Sequence, residues 1–405
     1  MKKSRYFIHC RKPIFLLPMS GIHSISLFNI GILLLWLASC KPAAKQADHS
    51  TSDKPVAAKT TIQYSKGFTI EYFENYKLVK IVNRFSDKTD TVQYVLVQRG
   101  TPAPANHSGA MVIQVPVQKM MVTSSMHVGM ADFADAADVI TGLADSKYVT
   151  SPAVRKNMAA GKVIEVGLGS AMNHELIIST KPDLLMTMGS PDAPFRGYQQ
   201  LTGAGIPVMI NAEWLETDPL GRSEWVKLMA ALLNKEELVN RKFEALVKEY
   251  NRIKELAATV KQKPEVVVGM PFKGSWFVPD GDSYITQFLK DAGATYHWSN
   301  VIKTGSLALD FETVAPIALK ADFWLNPGTS DSKADIADKD QRYTRFNPYQ
   351  KGTIYNNNKR TNDIGSNDYW ESGACNPHLV LADLITIFHP GLLPGRQLYY
   401  YKQLQ

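Results

Sequence analysis

Cysteine is scarce: the 405 residues hold three, at positions 10, 40 and 375. Cys10 and Cys40 fall within or at the end of a leader-like N-terminal segment, which leaves Cys375 alone in the body and excludes an internal disulfide framework. Cys375 reads as a small buried residue, since no matching base sits near it in sequence. Catalytic punctuation is missing too. There is no G-x-S-x-G elbow, no phosphate-binding G-x-x-x-x-G-K loop, no G-x-G-x-x-G after a strand and no H-E-x-x-H. Histidines 107, 127, 174, 297, 378 and 389 include no closely spaced pair, so a direct zinc or manganese site is not indicated. Asp145, Asp183 and Asp192 offer no reason to be read as a catalytic carboxylate pair rather than as solvated or capping groups. No enzyme, resident cofactor or protein-held metal is expected; a metal would arrive wrapped in its own chelator.

Acidic residues are absent before Cys40, where Lys2, Lys3, Arg5, Arg11 and Lys12 stand unopposed. Removing those five from the formal net charge of +7 leaves 7 − 5 = +2, too small a balance to mark a nucleic-acid partner. A basic start and an apolar run, IGILLLWLA, are the layout of a signal peptide over residues 1–39. That run is shorter than the about 20 apolar residues a membrane-spanning helix needs. Leu37-Ala38-Ser39-Cys40 resembles the lipobox of bacterial lipoproteins, which implies a lipid on Cys40 and a location in the periplasm or cell envelope, held to the membrane through that anchor alone. Residues 40–60 are small and polar with no aromatic side chain, the composition of a flexible tether.

From residue 61 short alternating runs (FTIEYF, YKLVKIVN, TVQYVLVQ) predict a few antiparallel strands. After Pro116 strands alternate with helices: QKMMVTSS, a helix over ADFADAADVITGL, then KVIEVG, HELIIST, DLLMTMG, YQQLTGAG and PVMIN. The alternation resumes after Pro264 with EVVVGM, YITQFLKDAG, FETVAPIALK and DFWLNPG, and ends on the helix HLVLADLITIFHP. This predicts an α/β fold of two lobes with mainly parallel central sheets. Between them Val239, Phe243, Leu246, Tyr250, Ile253, Ala257 and Val260 repeat at alternating spacings of four and three, the stripe of one long helix. A 26-residue helix is a rod of roughly 39 Å. The division expected is an N-terminal lobe with added strands over 61–233, a linking spine helix over 234–262 and a C-terminal lobe over 263–405.

Two stretches share one grammar. MNHELIISTKPDLLMT and DFETVAPIALKADFWL each place a glutamate, Glu175 or Glu312, at the start of an apolar helix that runs through a lysine-containing corner into a strand. Asn173 and Asp310 precede the helices as caps, and a carboxylate in a first helical turn is favoured by the dipole. On these motifs residues 117–390 resemble the periplasmic binding proteins of the iron-siderophore, heme and vitamin B12 class, which serve ABC importers. The resemblance implies a class III binding-protein fold, two lobes on a single helix with modest closure. It also implies that Glu175 and Glu312 dock on arginines of a permease built from two transmembrane subunits with their ATPases. The implied cargo is an iron(III)-siderophore-type chelate, with cobalamin or heme as the alternative and a monomer as the working form. An extracytoplasmic hydrolase and a scaffold with a dead cleft are the readings from other classes.

Ligands of open α/β sheets sit beyond the carboxyl ends of strands. The loops there carry Ser125 and His127, Ser190, Phe195, Arg196 and Tyr198, Trp214, Phe272 and Trp276, Arg342, and Trp370. Aromatics with a few cations and hydroxyls suit a bulky ligand bearing anionic groups. Trp276 and Trp370 are the leading candidates, because they lie in polar, Gly-containing loops.

Overall fold

The computed structural model describes residues 54–83, 90–189, 195–303 and 306–405. The leader, Cys40, most of the tether and Ser190 lie outside the described residues. Among the described residues no helix is long and apolar enough to cross a membrane.

Four strands precede the lobes. β1 (Phe68–Tyr72), β2 (Tyr76–Asn83) and β3 (Asp90–Gln98) pair antiparallel as expected, whereas β4 (Met111–Val115) joins β3 in parallel. Strand alternation sends Phe68, Val79, Ile81, Tyr94 and Leu96 into the main core and Tyr76, Leu78, Val95 and Val97 into a smaller cluster with Phe73. The sheet is therefore buried on both faces.

The first lobe is a five-stranded parallel sheet, β5 (Met120–Val122), β6 (Ile140–Leu143), β7 (Ile164–Glu165), β8 (Leu184–Met188) and β9 (Val208–Asn211), in the order β7-β6-β5-β8-β9. The chain reverses direction across the sheet between β5 and β8, which puts a crevice at their carboxyl ends. The helix predicted over ADFADAADVITGL stops at Phe133, in a helix Ser125–Phe133, and Ile140–Leu143 forms β6. Asp135 takes φ 49°, which ends the helix, and the apolar run after it is short enough to be a buried strand.

The added sheet covers the exposed edge of β9. Ile210 N–H donates to the Tyr94 hydroxyl at 3.1 Å and Val208 N–H to Met111 Sδ at 2.9 Å, so backbone donors that would template aggregation are paired. Two buried carboxylates fix the chain entering β1. Glu224 accepts the N–H groups of Gln63, Tyr64 and Ser65 at 2.7–3.0 Å and pairs with Lys227 at 2.7 Å. Glu216 accepts those of Lys66 and Gly67 and the indole N–H of Trp225. A Cβ at Gly67 would stand 2.6 Å from the Trp225 ring, so this position requires glycine. On β2, Lys77 is buried and donates to Ala231 O at 2.6 Å, Asn234 Oδ1 at 2.7 Å and Glu236 at 2.5 Å. Its cation thus joins the end of one helix to the start of the next.

That next helix is the spine, Glu236–Ala258, which buries Val239, Phe243, Leu246, Tyr250, Ile253 and Ala257, the stripe seen in the sequence except Val260, which lies past the helix end and is half-buried. Beyond it, β10 (Val266–Val268) leads to a hairpin of β11 (Pro271–Phe272) and β12 (Ser275–Pro279), to which β13 (Ser306–Leu309) adds. β14 (Phe323–Leu325) and β15 (Ile354–Asn356) continue the second lobe's parallel sheet from β10, and β16 (Lys402–Gln403) closes its edge antiparallel. The architecture is α/β, two lobes with mainly parallel sheets, one connecting helix and extra N-terminal strands.

Candidate functional site

Loops near the carboxyl ends of the strands carry the candidate residues of each lobe. In the first lobe, Thr123, Ser124 and Ser125 follow β5, Asp145, Tyr148 and Val149 follow β6, and Gly167 and Leu168 follow β7; together they line a hollow of 380 Å³. Ser124 caps the helix Ser125–Phe133 by accepting Met126 N–H at 3.3 Å, which places the helix start at that hollow. Tyr148 is 57% exposed and Leu168 is exposed as well. From the second lobe, Phe272 on the β11–β12 hairpin is 64% exposed and Trp370 on the helix Asp368–Ser372 is 54% exposed. Ile364, in the loop after β15, also stands in solvent. These exposed apolar side chains are the candidates for a ligand surface, alongside others such as Ile302 and Phe277 that stand equally far into solvent.

Several sequence candidates fall elsewhere. Trp276 is 0% exposed, because its strand position turns it inward to pack on Phe311, Trp324, Tyr343 and Phe346, with its indole N–H on Val268 O at 3.0 Å. It is core, and Phe272 on the opposite hairpin strand is the aromatic that reaches out. His127 is likewise fully buried in the helix Ser125–Phe133; burial pushes its imidazole down to about 3, so the ring is neutral and unavailable to a ligand. Tyr198 is buried with its hydroxyl 2.8 Å from Thr187 Oγ1, which in turn meets Thr123 Oγ1 at 3.2 Å. That chain stiffens the floor under β5 and β8. Trp214 is half-buried, and its indole donates to Gly189 O at 3.0 Å, holding the loop after β8.

Arg342 is not a free cation for a ligand. Its guanidinium grips Asp340 through Nε and Nη2, at 2.9 and 2.7 Å, and lies 3.8 Å over the Phe311 ring. It also approaches Glu312 at 3.8 Å. Phe195 and Arg196 occupy the turn Phe195–Tyr198; their side chains, like Ser190, lie outside what is described. Ser125 lines the first-lobe hollow, and Trp370 borders a separate small one beside Arg222 and Tyr284.

Glu175 and Glu312 are both exposed. Leu176 N–H donates to Asn173 Oδ1 at 2.9 Å and Thr313 N–H to Asp310 Oδ1 at 2.8 Å, so each cap is the one the sequence indicated. The bond from Thr313 and its hydroxyl hold the Asp310 carboxyl below its ordinary range. Each glutamate sits two residues past its cap and is left to solvent.

Sequence reasoning missed a buried ion pair at the interlobe floor. Glu213 and Arg222 meet at 3.2 Å, with the guanidinium 4.5 Å over the Tyr284 ring of the other lobe and Trp370 bordering the same small hollow. Tyr148 was also missed; reading ITGL as a strand would have pointed to the loop that follows it. A separate hollow of 370 Å³ beside the spine helix, between Tyr64 and Phe243, contains no strand-end loop.

Two lobes with mainly parallel sheets are joined by one stiff helix. The chain belongs to the periplasmic binding protein family, whose model matches residues 132–361, more than half of its length. It is 28% identical over 376 residues to the uncharacterized lipoprotein MJ0878 of Methanocaldococcus jannaschii, covering 87% of this chain and 88% of that one. Among solved structures, a periplasmic binding protein of Veillonella parvula superposes with a TM-score of 0.57 at 14% identity, over 78% of this chain and 99% of that one. The molybdate-bound periplasmic binding protein MolA of a Haemophilus influenzae ABC transporter gives 0.53 at 15%, over 70% and 89%. The periplasmic heme binding protein HutB of Vibrio cholerae gives 0.51 at 16%, over 65% and 99%. At these identities the likeness is one of fold.

Proposed function

We propose that this protein is the lipid-anchored, extracytoplasmic solute-binding component of an ABC importer, and that its cargo is a bulky metal chelate of the ferric-siderophore type. The observation that supports the cargo is the set of exposed apolar side chains on both lobes: Tyr148 and Leu168 on one, Phe272, Ile364 and Trp370 on the other. Such a surface suits a ligand with flat or greasy faces. Heme, as in HutB, or a cobalamin is the alternative occupant of the same surface.

Permease docking through Glu175 and Glu312 fits their exposure at capped helix starts. Arg342, at 3.8 Å, is a weak internal stand-in for a permease arginine, since exposed pairs of this kind contribute about 1 kcal/mol or less. The lipobox-like Cys40 and the lipoprotein description of the archaeal relative support the anchor.

The test is a titration of the purified protein with ferric siderophores, heme and cobalamins, followed by tryptophan fluorescence and melting temperature. Trp370 should quench, and a ligand at 100 times its Kd should add about 2.7 kcal/mol of stability. If no chelate stabilises the protein, the cargo assignment fails; turnover of an envelope ester or amide without stabilisation would instead favour a hydrolase.

A further inference from the structure

Glu371 is 2% exposed, on the second-lobe helix Asp368–Ser372, and among the described residues it forms no ion pair. Its carboxylate faces the backbone of the first lobe. Oε2 accepts Thr150 N–H at 2.7 Å and Oε1 accepts Ser151 N–H at 2.6 Å. Both donors end the loop that follows β6, where Ser151 and Pro152 start the helix Pro152–Ala159. The same loop is tied to the second lobe by three more contacts. Thr150 Oγ1 donates to Asp368 Oδ1 at 3.3 Å, Asn362 Nδ2 to Val149 O at 3.3 Å, and Ser366 Oγ to Lys147 O. The lobes approach so closely here that a Cβ on Gly129 would lie 2.0 Å from the Glu371 carbonyl oxygen. On its other side this loop is a wall of the first lobe's hollow, since Asp145, Tyr148 and Val149 line those 380 Å³.

One loop thus joins an interlobe contact to a ligand surface. We propose that Glu371 is a positioning residue for ligand capture, a cross-lobe latch that holds the Tyr148 loop against the second lobe and so sets the width of the cleft. The bearing on capture rests on the cleft reading given above; the latch itself does not. Its carboxylate is faced by Asp132 from the helix Ser125–Phe133 and by Asp368 from its own helix. Arg360 is taken up by Asp368 at 2.6 Å, Arg155 approaches Asp363 at 3.9 Å, and Lys359 lines the 660 Å³ hollow behind the latch. Burial, with Asp132 adding to it, raises the Glu371 carboxyl to about 7 against the downward pull of the Thr150 and Ser151 bonds. Freed into water, the group would return to the ordinary carboxyl range. The latched form therefore binds a proton that the open form does not, so acid favours closure and closure weakens as pH rises through that window.

Hydrogen exchange of the full-length protein, read on peptides spanning 144–151 and corrected for intrinsic rates, tests this without any ligand. Wild-type protection should fall about tenfold or more between pH 5.5 and 7.5, the minimum being the effect of one pH unit of linkage. Glu371→Gln keeps an acceptor and should give protection that changes less with pH than in the wild type. Glu371→Ala should lose it at every pH while the spine-helix peptides stay protected. Wild-type protection in Glu371→Ala, or the wild-type pH profile in Glu371→Gln, overturns the latch, and the second variant decides if the first does not fold. A protein that shows the latch but binds none of the chelates would refute the cargo reading alone.

Discussion

A single buried histidine can set how a protein responds to acid, and His127 is placed to do so. Its ring is held neutral by burial, down to about 3, whereas the unfolded chain protonates it near 6.5. Between those values the unfolded state binds the extra proton, so stability is lost as pH falls from about 6.5 toward 3, by up to about 1.4 kcal/mol per unit. His378, lowered by burial to about 4, acts in the same sense. In His127→Leu the His127 share of this slope should vanish while chelate affinity is kept; urea midpoints at pH 7, 5.5 and 4.5 measure the first, and a fall in affinity would return His127 to the site. Glu224 makes the opposite kind of prediction. Its removal leaves three backbone donors without an acceptor and the buried Lys227 without its carboxylate, with only Thr61 O still accepting from it, so Glu224→Ala should cost about 3–5 kcal/mol in urea unfolding at neutral pH.

At the scale of elements, the β11–β12 hairpin separates what sequence can show from what it cannot. Phe272 and Trp276 are four residues apart in one polar, Gly-containing stretch, and nothing local distinguishes them. Which of them faces the cleft is decided by hairpin register, with Pro271 opposite Trp276, and by the pairing of Trp276 with Leu309 across β13. Trp276→Ala should therefore destabilise by about 3–5 kcal/mol, and Phe272→Ala should leave the urea midpoint nearly unchanged while weakening chelate binding. An inversion of those two results would move the ligand surface. The caps Asn173 and Asp310, both glutamates and the spine stripe were legible because each is local, a matter of three to seven residues. The Lys77 contacts, the Glu216 and Glu224 cradles and the Glu371 latch were not, because each joins residues about 150 or more positions apart. β6 was hidden by an alanine-rich run that reads as helix until Asp135 breaks it.

The whole molecule is built to keep its two lobes in register. Lys77 fixes the added sheet to the start of the spine, the spine runs 23 residues without a glycine or proline, and Glu371 ties the lobes at a second point. Rigidity of this kind matters for docking, because two weak contacts reinforce each other only if binding at one leaves the other already aligned. Glu175 and Glu312 stand on different lobes with no shared partner, so their contributions should add. At about 1 kcal/mol each, the single alanine variants should slow permease-dependent uptake in reconstituted vesicles about fivefold, and the double variant about thirtyfold. Chelate affinity in solution should be unchanged in all three. The uptake of the wild type should fall with added salt more steeply than that of the double variant, since salt screens exposed ion pairs such as those proposed between these glutamates and the permease. Uptake at the wild-type rate in the double variant would show that the permease recognises some other part of the surface, even if the cargo is a chelate.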